Sequence, residues 1–107
     1  MAYDEAAAER VRAALKGKRG LVEKKMMGGL VFMKDEAMCC GVSGAALLVR
    51  VGKEGYEAAL KKAHVRPLEF GGRRPSGFVL VDPPGWKSAA QLDKWIATGL
   101  AVAKRAR

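Results

Sequence analysis

Four short apolar segments in the first half of the chain constrain the fold more than any other feature. They are rich in Val, Leu, Met and Phe, and glycine or charged residues separate each from the next. Runs of this length bounded by such turns are typical of antiparallel strands joined by tight connections. The sequence therefore predicts an antiparallel meander over about Leu21–Met27, Gly29–Met33, Ala37–Val42 and Ala46–Val51.

Helical periodicity lies on both sides of this meander. A first helix is predicted from Asp4 to Lys16, with Asp4 as its N-cap, and a second from Gly52 to Ala63. Ser88 and Gln91 have the spacing of a capping box and begin a third helix. The apolar face of that helix contains Leu92, Trp95, Ile96 and Leu100.

The segment between the second and third predicted helices holds less structure. A brief strand is expected near Leu68–Phe70, within a Gly- and Arg-rich connection. Phe78–Val81 is a second strand, ended by Asp82–Gly85, whose two prolines a central strand cannot accommodate. Trp95 is predicted to be core, whereas Trp86 either caps the sheet or is an exposed contact residue.

Size and composition place the chain among small globular domains. Its 107 residues suffice for one domain with one modest core, and 50% hydrophobic with 29% charged residues is a globular balance. We expect one domain over residues 1–107, with 103–107 as a candidate disordered basic tail. The apolar runs are too short to cross a bilayer and no signal peptide is visible, so we expect a cytoplasmic protein without membrane contact.

The formal net charge of +9 is the strongest compositional signal. It is typical of a solubilising basic surface, and a surface for an anionic partner such as nucleic acid is the alternative. The basic residues are dispersed along the chain rather than interleaved with aromatic ones. The candidate phosphate contacts are Lys61, Lys62, Arg66, Arg73, Arg74, Lys104 and Arg105, with the tail continuing to Arg107.

Two adjacent cysteines stand in the third predicted strand. Cys39 and Cys40 are a poor zinc pair, because structural sites space their thiolates two to four residues apart and need two further ligands. Alternation along a strand would point one thiol into the core and the other outward. A structural role is therefore expected, and no metal or cofactor is predicted.

Methionine and glycine punctuate the same region. A flexible thioether fills irregular gaps in a core, so the methionines of the meander are predicted to be core residues. Gly28-Gly29 should mark a bulge or a close approach between strands. The methionines concerned are Met26, Met27, Met33 and Met38.

No catalytic motif is visible. His64 has no nucleophile and no orienting carboxylate in its local sequence, and it is expected at a helix end as a partner of the helix dipole or as a surface residue. Neither Gly28-Gly29 nor Gly71-Gly72 belongs to a phosphate-binding loop that opens a helix. We therefore expect a protein that is not an enzyme and has no catalytic residues.

Seven short motifs follow one another along the chain: Met1–Glu5, Lys25–Gly29, Met38–Val42, Leu48–Gly52, Tyr56–Leu60, His64–Pro67 and Gly77–Pro83. Taken in this order, they resemble the TfoX N-terminal-domain family. The resemblance implies a two-layer α+β fold of α-β(3)-α-β(2)-α type, similar to secretion-chaperone-like folds. The residues themselves predict four early strands, so Leu21–Met33 would then be one bent strand or a tight hairpin.

The resemblance also implies a function. Named members are regulators of bacterial competence that act with a transcription factor and carry an additional C-terminal helical domain. The leading hypothesis is therefore a non-enzymatic bacterial regulatory domain that binds a protein partner, for example in the transcription machinery. It would form a homodimer through a sheet edge or a helix face. The alternatives are direct nucleic-acid binding through the basic residues, and a small enzyme using Cys39 or Cys40 near His64.

Overall fold

A computed structural model describes residues 3–26, 28–69 and 71–105 of the chain. Within them, three helices and six strands alternate in the order of an α+β protein. The elements are α1 (Glu5–Leu15), β1 (Leu21–Met26), β2 (Gly29–Lys34), β3 (Ala37–Ser43), β4 (Ala46–Arg50), α2 (Gly52–Leu60), β5 (Val65–Pro67), β6 (Phe78–Val81), a 3₁₀ turn (Pro83–Trp86) and α3 (Ala89–Arg105).

All six strands form one antiparallel sheet in the order β1-β2-β3-β4-β6-β5. The α+β class and the four-stranded meander predicted from the residues are confirmed. The meander has one strand more than the three that the resemblance implied. It is made possible by tight turns, such as that at Asp35 and Glu36, whose φ values of 49° and 73° suit a two-residue hairpin.

The short strand before β6 is not where the sequence predicted it. It comprises Val65–Pro67, which pairs with β6, and the strand expected near Leu68–Phe70 is wrong in position. Its start is fixed by the chain reversal at His64, whose carbonyl accepts a hydrogen bond from the Asp82 amide at 2.8 Å. Leu68 instead follows the strand and is buried, while Phe70 lies outside the described residues.

The sheet is apolar on both faces. α1 and α3 cover one face, where α3 lies across β3 and β4. Leu68, from the connection between β5 and β6, packs into the core of the opposite face. The helix-side core includes Val11, Leu30, Phe32, Val42, Leu47, Val49, Val79, Val81, Leu92 and Ile96, and the opposite core contains Val31, Met38, Ala46, Leu48, Leu68 and Leu80.

The predicted caps are present. The Asp4 side chain accepts a hydrogen bond from the Ala6 amide at 3.1 Å. Ser88 and Gln91 form a reciprocal capping box with distances of 2.9 and 3.1 Å. The helix that follows continues to Arg105, so residues 103–105 are helical rather than part of a disordered tail, and the buried Ala103 anchors them. Ala106 and Arg107 lie outside the described residues.

A β-bulge brings both cysteines to the same face. Phe32 pairs with Cys40 and Met33 pairs with Met38, which leaves Cys39 as an extra residue in β3. Both cysteines are fully buried in the helix-side core, with 3.5 Å between their Sγ atoms. The expectation that one thiol would point outward is wrong, because a bulge breaks the alternation on which it rested.

The glycine and methionine predictions have mixed outcomes. A Cβ at Gly29 would collide with the Val42 carbonyl oxygen, which confirms a close approach between strands. Met38 is buried and Met33 is half-buried, but Met26 is 40% exposed because β1 is an edge strand. Met26 is therefore not a core residue, and Met27 lies outside the described residues.

Candidate functional site

A cleft between the end of α2, the 3₁₀ turn and α3 contains the most distinctive group of exposed polar side chains. We call it the Trp95 cleft, and its volume is about 260 Å³. The cleft is lined by two ammonium groups, an imidazole and an indole, together with an amide, a hydroxyl and two small residues. The lining residues are Lys62, Ala63, His64, Gly85, Gln91, Lys94, Trp95 and Thr98.

Trp95 is held in a fixed orientation by two elements. Its indole Nε1–H donates a hydrogen bond to the Gly85 carbonyl at 3.2 Å. The Lys62 Nζ lies 5.1 Å from the centre of its ring, within the range of a cation–π contact. Trp95 packs against the helix-side core, as predicted, yet it is only half-buried.

His64 forms the rim of the cleft in a strained conformation. Its φ of +68° lies in the left-handed region that residues with a side chain seldom occupy. Glycine suits position 85, which lies next to His64, because a Cβ there would collide with the Val81 side chain and would also lie 3.2 Å from the His64 Cβ. The exposed imidazole is not grouped with either cysteine, since neither thiol lines the cleft.

Some polar groups of the cleft already form hydrogen bonds within the protein, and others are available to a ligand. The Gln91 amide oxygen accepts the Ser88 N–H of the capping box, and the Thr98 hydroxyl donates to the Lys94 carbonyl at 3.0 Å. The ammonium groups of Lys62 and Lys94 remain, and none of the described residues that line the cleft has a carboxylate. Such a site can bind an anionic group with an apolar or planar group beside it.

The predicted phosphate contacts do not converge there. Lys62 alone among them lines the cleft. Arg66 and Arg74 form ion pairs with Asp82 and Glu69, at 3.1 and 2.7 Å, so their charges are compensated. The other four are exposed and lie on three separate parts of the fold. They are Lys61 after α2, Arg73 in the connection between β5 and β6, and Lys104 and Arg105 at the end of α3.

The two lysines of the cleft are also far from the end of α3. Gly52, at the start of α2, lies against the Val102 side chain, so that a Cβ on it would be 3.5 Å away. Lys62, past the other end of α2, contacts Trp95. The two helices therefore run in opposite directions, and Lys104 and Arg105 lie at the end of α3 remote from the cleft.

A few basic residues form ion pairs with more than half of the acidic residues. Arg12 alone contacts three carboxylates, at 3.1, 3.3 and 2.8 Å. Its hydrogen bonds raise its own pKa and lower the pKa of Glu23. Across the described residues, Arg12, Lys34, Arg66 and Arg74 hold six carboxylates, which belong to Glu5, Glu9, Glu23, Asp35, Glu69 and Asp82. The remaining surface is correspondingly more positive.

The cysteines have the properties of core residues. A hydrogen bond with Cys39, together with burial, raises the pKa of the Cys40 thiol and so favours its protonated form. Within residues 3–26, 28–69 and 71–105, no three His, Cys, Asp or Glu side chains group in a way that could hold a metal ion. None of the helices in those ranges is long and apolar enough to span a membrane.

Sequence reasoning missed the different roles of the two tryptophans. Trp86 is 2% exposed and is a core residue, so of its two predicted roles, capping the sheet or forming an exposed contact, the exposed contact is wrong. The Arg10 guanidinium lies 4.6 Å from its ring centre and donates to the carbonyls of Trp86 and Lys87 at 2.9 and 3.1 Å. Periodicity assigned Trp95 to the core, and no sequence pattern marked Lys94 as its neighbour in a cleft.

Comparison with known proteins gives one match. The family model of the TfoX N-terminal domain matches residues 13–103, from within α1 to within α3. No curated protein and no solved structure matches the chain. Because the matched region includes all six strands of the sheet, the chain belongs to the TfoX N-terminal domain family.

Proposed function

We propose that this chain is a non-enzymatic regulatory domain that binds an acidic segment of a partner protein at the Trp95 cleft. One observation carries the proposal: Lys62, Lys94 and the half-buried Trp95 line one cleft, and no carboxylate lines it among the residues that the structure describes. Membership of the TfoX N-terminal domain family supports a regulatory role. The partner would be a bacterial cytoplasmic protein, with the transcription machinery as the first candidate.

The chemistry of the cleft favours a mixed anionic and apolar ligand. The two ammonium groups that line the cleft would attract the carboxylate of a glutamate or aspartate side chain. A neighbouring apolar side chain could then pack on the part of the indole that Lys62 leaves uncovered. A volume of about 260 Å³ holds one or two side chains rather than a length of polymer backbone. Tryptophan is among the residues that most often anchor protein interfaces.

The test uses a short peptide of defined chemistry. Acetyl-Glu-Glu-Phe-Glu-Glu-amide is titrated into ¹⁵N-labelled protein, with the Gln-Gln-Phe-Gln-Gln peptide as the uncharged control. The two indole N–H resonances report separately, since Trp95 lines the cleft and Trp86 is buried. We expect saturable movement of the Trp95 signal by the acidic peptide and little movement of the Trp86 signal.

A charge-reversal pair makes the result specific. Lys94→Glu should weaken the acidic peptide by about tenfold or more, because a carboxylate then faces the ligand. Lys53→Glu, on the exposed surface of α2, makes the same change of charge outside the cleft and should cost about twofold or less. An unmoved Trp95 signal, or equal losses in the two variants, would refute the proposal.

Direct nucleic-acid binding remains the second candidate, favoured by the net charge of +9 and by the many cations outside ion pairs. Fluorescence anisotropy with labelled duplex and single-stranded DNA distinguishes nucleic-acid binding from binding of an acidic protein segment. Binding at physiological salt that weakens linearly on a log–log salt plot would support it. Binding lost equally in Arg73→Glu and Lys94→Glu would indicate a general electrostatic attraction rather than a defined surface.

A further inference from the structure

β1 is an edge strand with unusual exposure. The described residues include just two exposed large hydrophobic side chains, Val22 at 57% and Met26 at 40%, and both belong to β1. Within residues 3–26, 28–69 and 71–105, the strand pairs with β2 alone. Its outer edge therefore offers unpaired backbone groups beside an apolar pair, an arrangement that readily accepts another strand.

The two faces of β1 have different chemistry. Leu21 packs against the helix-side core and Glu23 bonds to Arg12 of α1, so the odd-numbered residues face the helices. By alternation, Val22, Lys24 and Met26 face the opposite side. The strand thus carries an apolar, a basic and an apolar residue on the face away from the helices.

We propose that β1 pairs antiparallel with β1 of a second copy, about a two-fold axis that passes through Lys24. The strand sequence supports this occupant because Val-Glu-Lys-Lys-Met is complementary to its own reverse. Val22 then lies opposite Met26 of the second copy, and Glu23 lies opposite Lys25 of the second copy. Each contact occurs twice, as the symmetry of an isologous dimer requires.

The pleat restricts the choice of register. Paired residues in an antiparallel sheet lie on the same face, so a two-fold axis perpendicular to the sheet must pass through a residue. An axis through Glu23 places two carboxylates together and sets Val22 opposite a lysine. An axis through Lys25 leaves an overlap of three residues within Leu21–Met26. The Lys24 axis alone combines long overlap with matched apolar and charged pairs.

The Lys24 axis has one cost. The two Lys24 side chains face each other, and like charges directly opposite are destabilising. Both are exposed, so they can extend in different directions into solvent. A contact of one strand pair is small, and we expect a weak dimer that forms with rising concentration. β1 and β5 are opposite edges of the sheet, so the inference stands independently of ligand binding at the Trp95 cleft.

Sedimentation equilibrium and cysteine cross-linking test the pairing and its register. The native chain should change from monomer to dimer between micromolar and millimolar concentration. Lys24→Cys should form a disulfide-linked dimer rapidly under mild oxidation, because a residue on the axis meets itself. Glu23→Cys should cross-link much more slowly. A chain that stays monomeric, or faster cross-linking at Glu23→Cys, overturns the proposal.

A charge variant tests the apolar pairs without cross-linking. Val22→Lys sets an ammonium opposite Met26 of the second copy and should weaken the dimer by about tenfold or more. Ala58→Lys adds the same charge at an exposed position of α2 and is the matched control, with little change expected. If both variants leave the dimer equally intact, the contact lies on another surface, such as a helix face, and the proposal is wrong.

Discussion

Replacing Gly99 by alanine should destabilise the protein, although alanine is normally the better residue within a helix. Gly99 is buried in α3, and a Cβ there would collide with the backbone carbonyl oxygen of Cys39 in β3. A backbone atom of a central strand cannot rotate away as a flexible side chain can. α3 would have to move by a substantial fraction of an ångström, which loosens the packing of Leu92 and Ile96 on the sheet.

The size of the stability change for Gly99→Ala follows from two opposing contributions to the free energy of unfolding. Alanine in place of glycine favours the helix by about 1 kcal/mol. Overpacking a tight contact costs about 1–3 kcal/mol, and here the obstacle is backbone, which places the cost at the upper end. We expect the free energy of unfolding to fall by about 1–2 kcal/mol, equivalent to a melting temperature lower by roughly 4–15 °C for a domain of this size.

Gly55 supplies a matched control on α2. A Cβ there would meet nothing closer than the Val51 Cβ at 3.8 Å. Gly55→Ala should therefore raise the free energy of unfolding by up to about 1 kcal/mol. Urea denaturation followed by tryptophan fluorescence measures both variants. If Gly99→Ala proves as stabilising as Gly55→Ala, the close contact between α3 and β3 does not exist as described.

Three further outcomes follow from contacts described above. Arg10→Ala removes two charge-assisted hydrogen bonds to the 3₁₀ turn, and urea denaturation should show a loss of about 1–2 kcal/mol, with Arg19→Ala near zero. Arg12 lowers the pKa of Glu23. The stability that this ion pair gives the fold is therefore complete above the ordinary glutamate pKa, and it is lost as the pH falls through the lowered pKa of Glu23. In carboxyl NMR titrations, Arg12→Met should raise the pKa of Glu23, and an unchanged value would contradict the ion pair. Cys39 and Cys40 should be alkylated slowly in the native protein and rapidly in urea, whereas rapid native alkylation would revive the enzyme hypothesis.

Local sequence signals were sufficient to predict the elements whose ends are marked by capping or turn residues. Asp4 and the Ser88–Gln91 box began helices where predicted, and the turn residues around Asp35 separated two strands correctly. Each of these signals involves neighbours in the chain. They could therefore be interpreted without knowing what packs against them.

The errors came from interactions between distant parts of the chain. A bulge in β3, set by its pairing with β2, turned both cysteines to the helices, although strand alternation predicted otherwise. The position of a strand in the sheet decided that Met26 is exposed. Trp86 packs in the helix-side core, and Arg10, 76 residues earlier in the chain, lies across its ring. Periodicity within one segment contains none of this information.

The candidate site shows the same limit. Composition indicated an anionic partner, but it could not reveal which cations are already compensated. Arg66 and Arg74 were plausible phosphate contacts until their ion pairs with Asp82 and Glu69 were known. Lys94 carried no special signal in the sequence. It becomes a candidate because α2 ends opposite α3 and brings Lys62 to the same tryptophan.

The position of α3 across β3 and β4 has a consequence for biosynthesis. All six strands leave the ribosome before α3, so the helix-side face of the sheet is synthesised before its main cover. Until α3 emerges, the side chains of Val42, Leu47 and Val49 lack Leu92 and Ile96 as packing partners. Nascent chains with such uncovered apolar sheets are the usual clients of chaperones. Folding of this domain should therefore be completed late, and a chain stopped before Ala89 should aggregate.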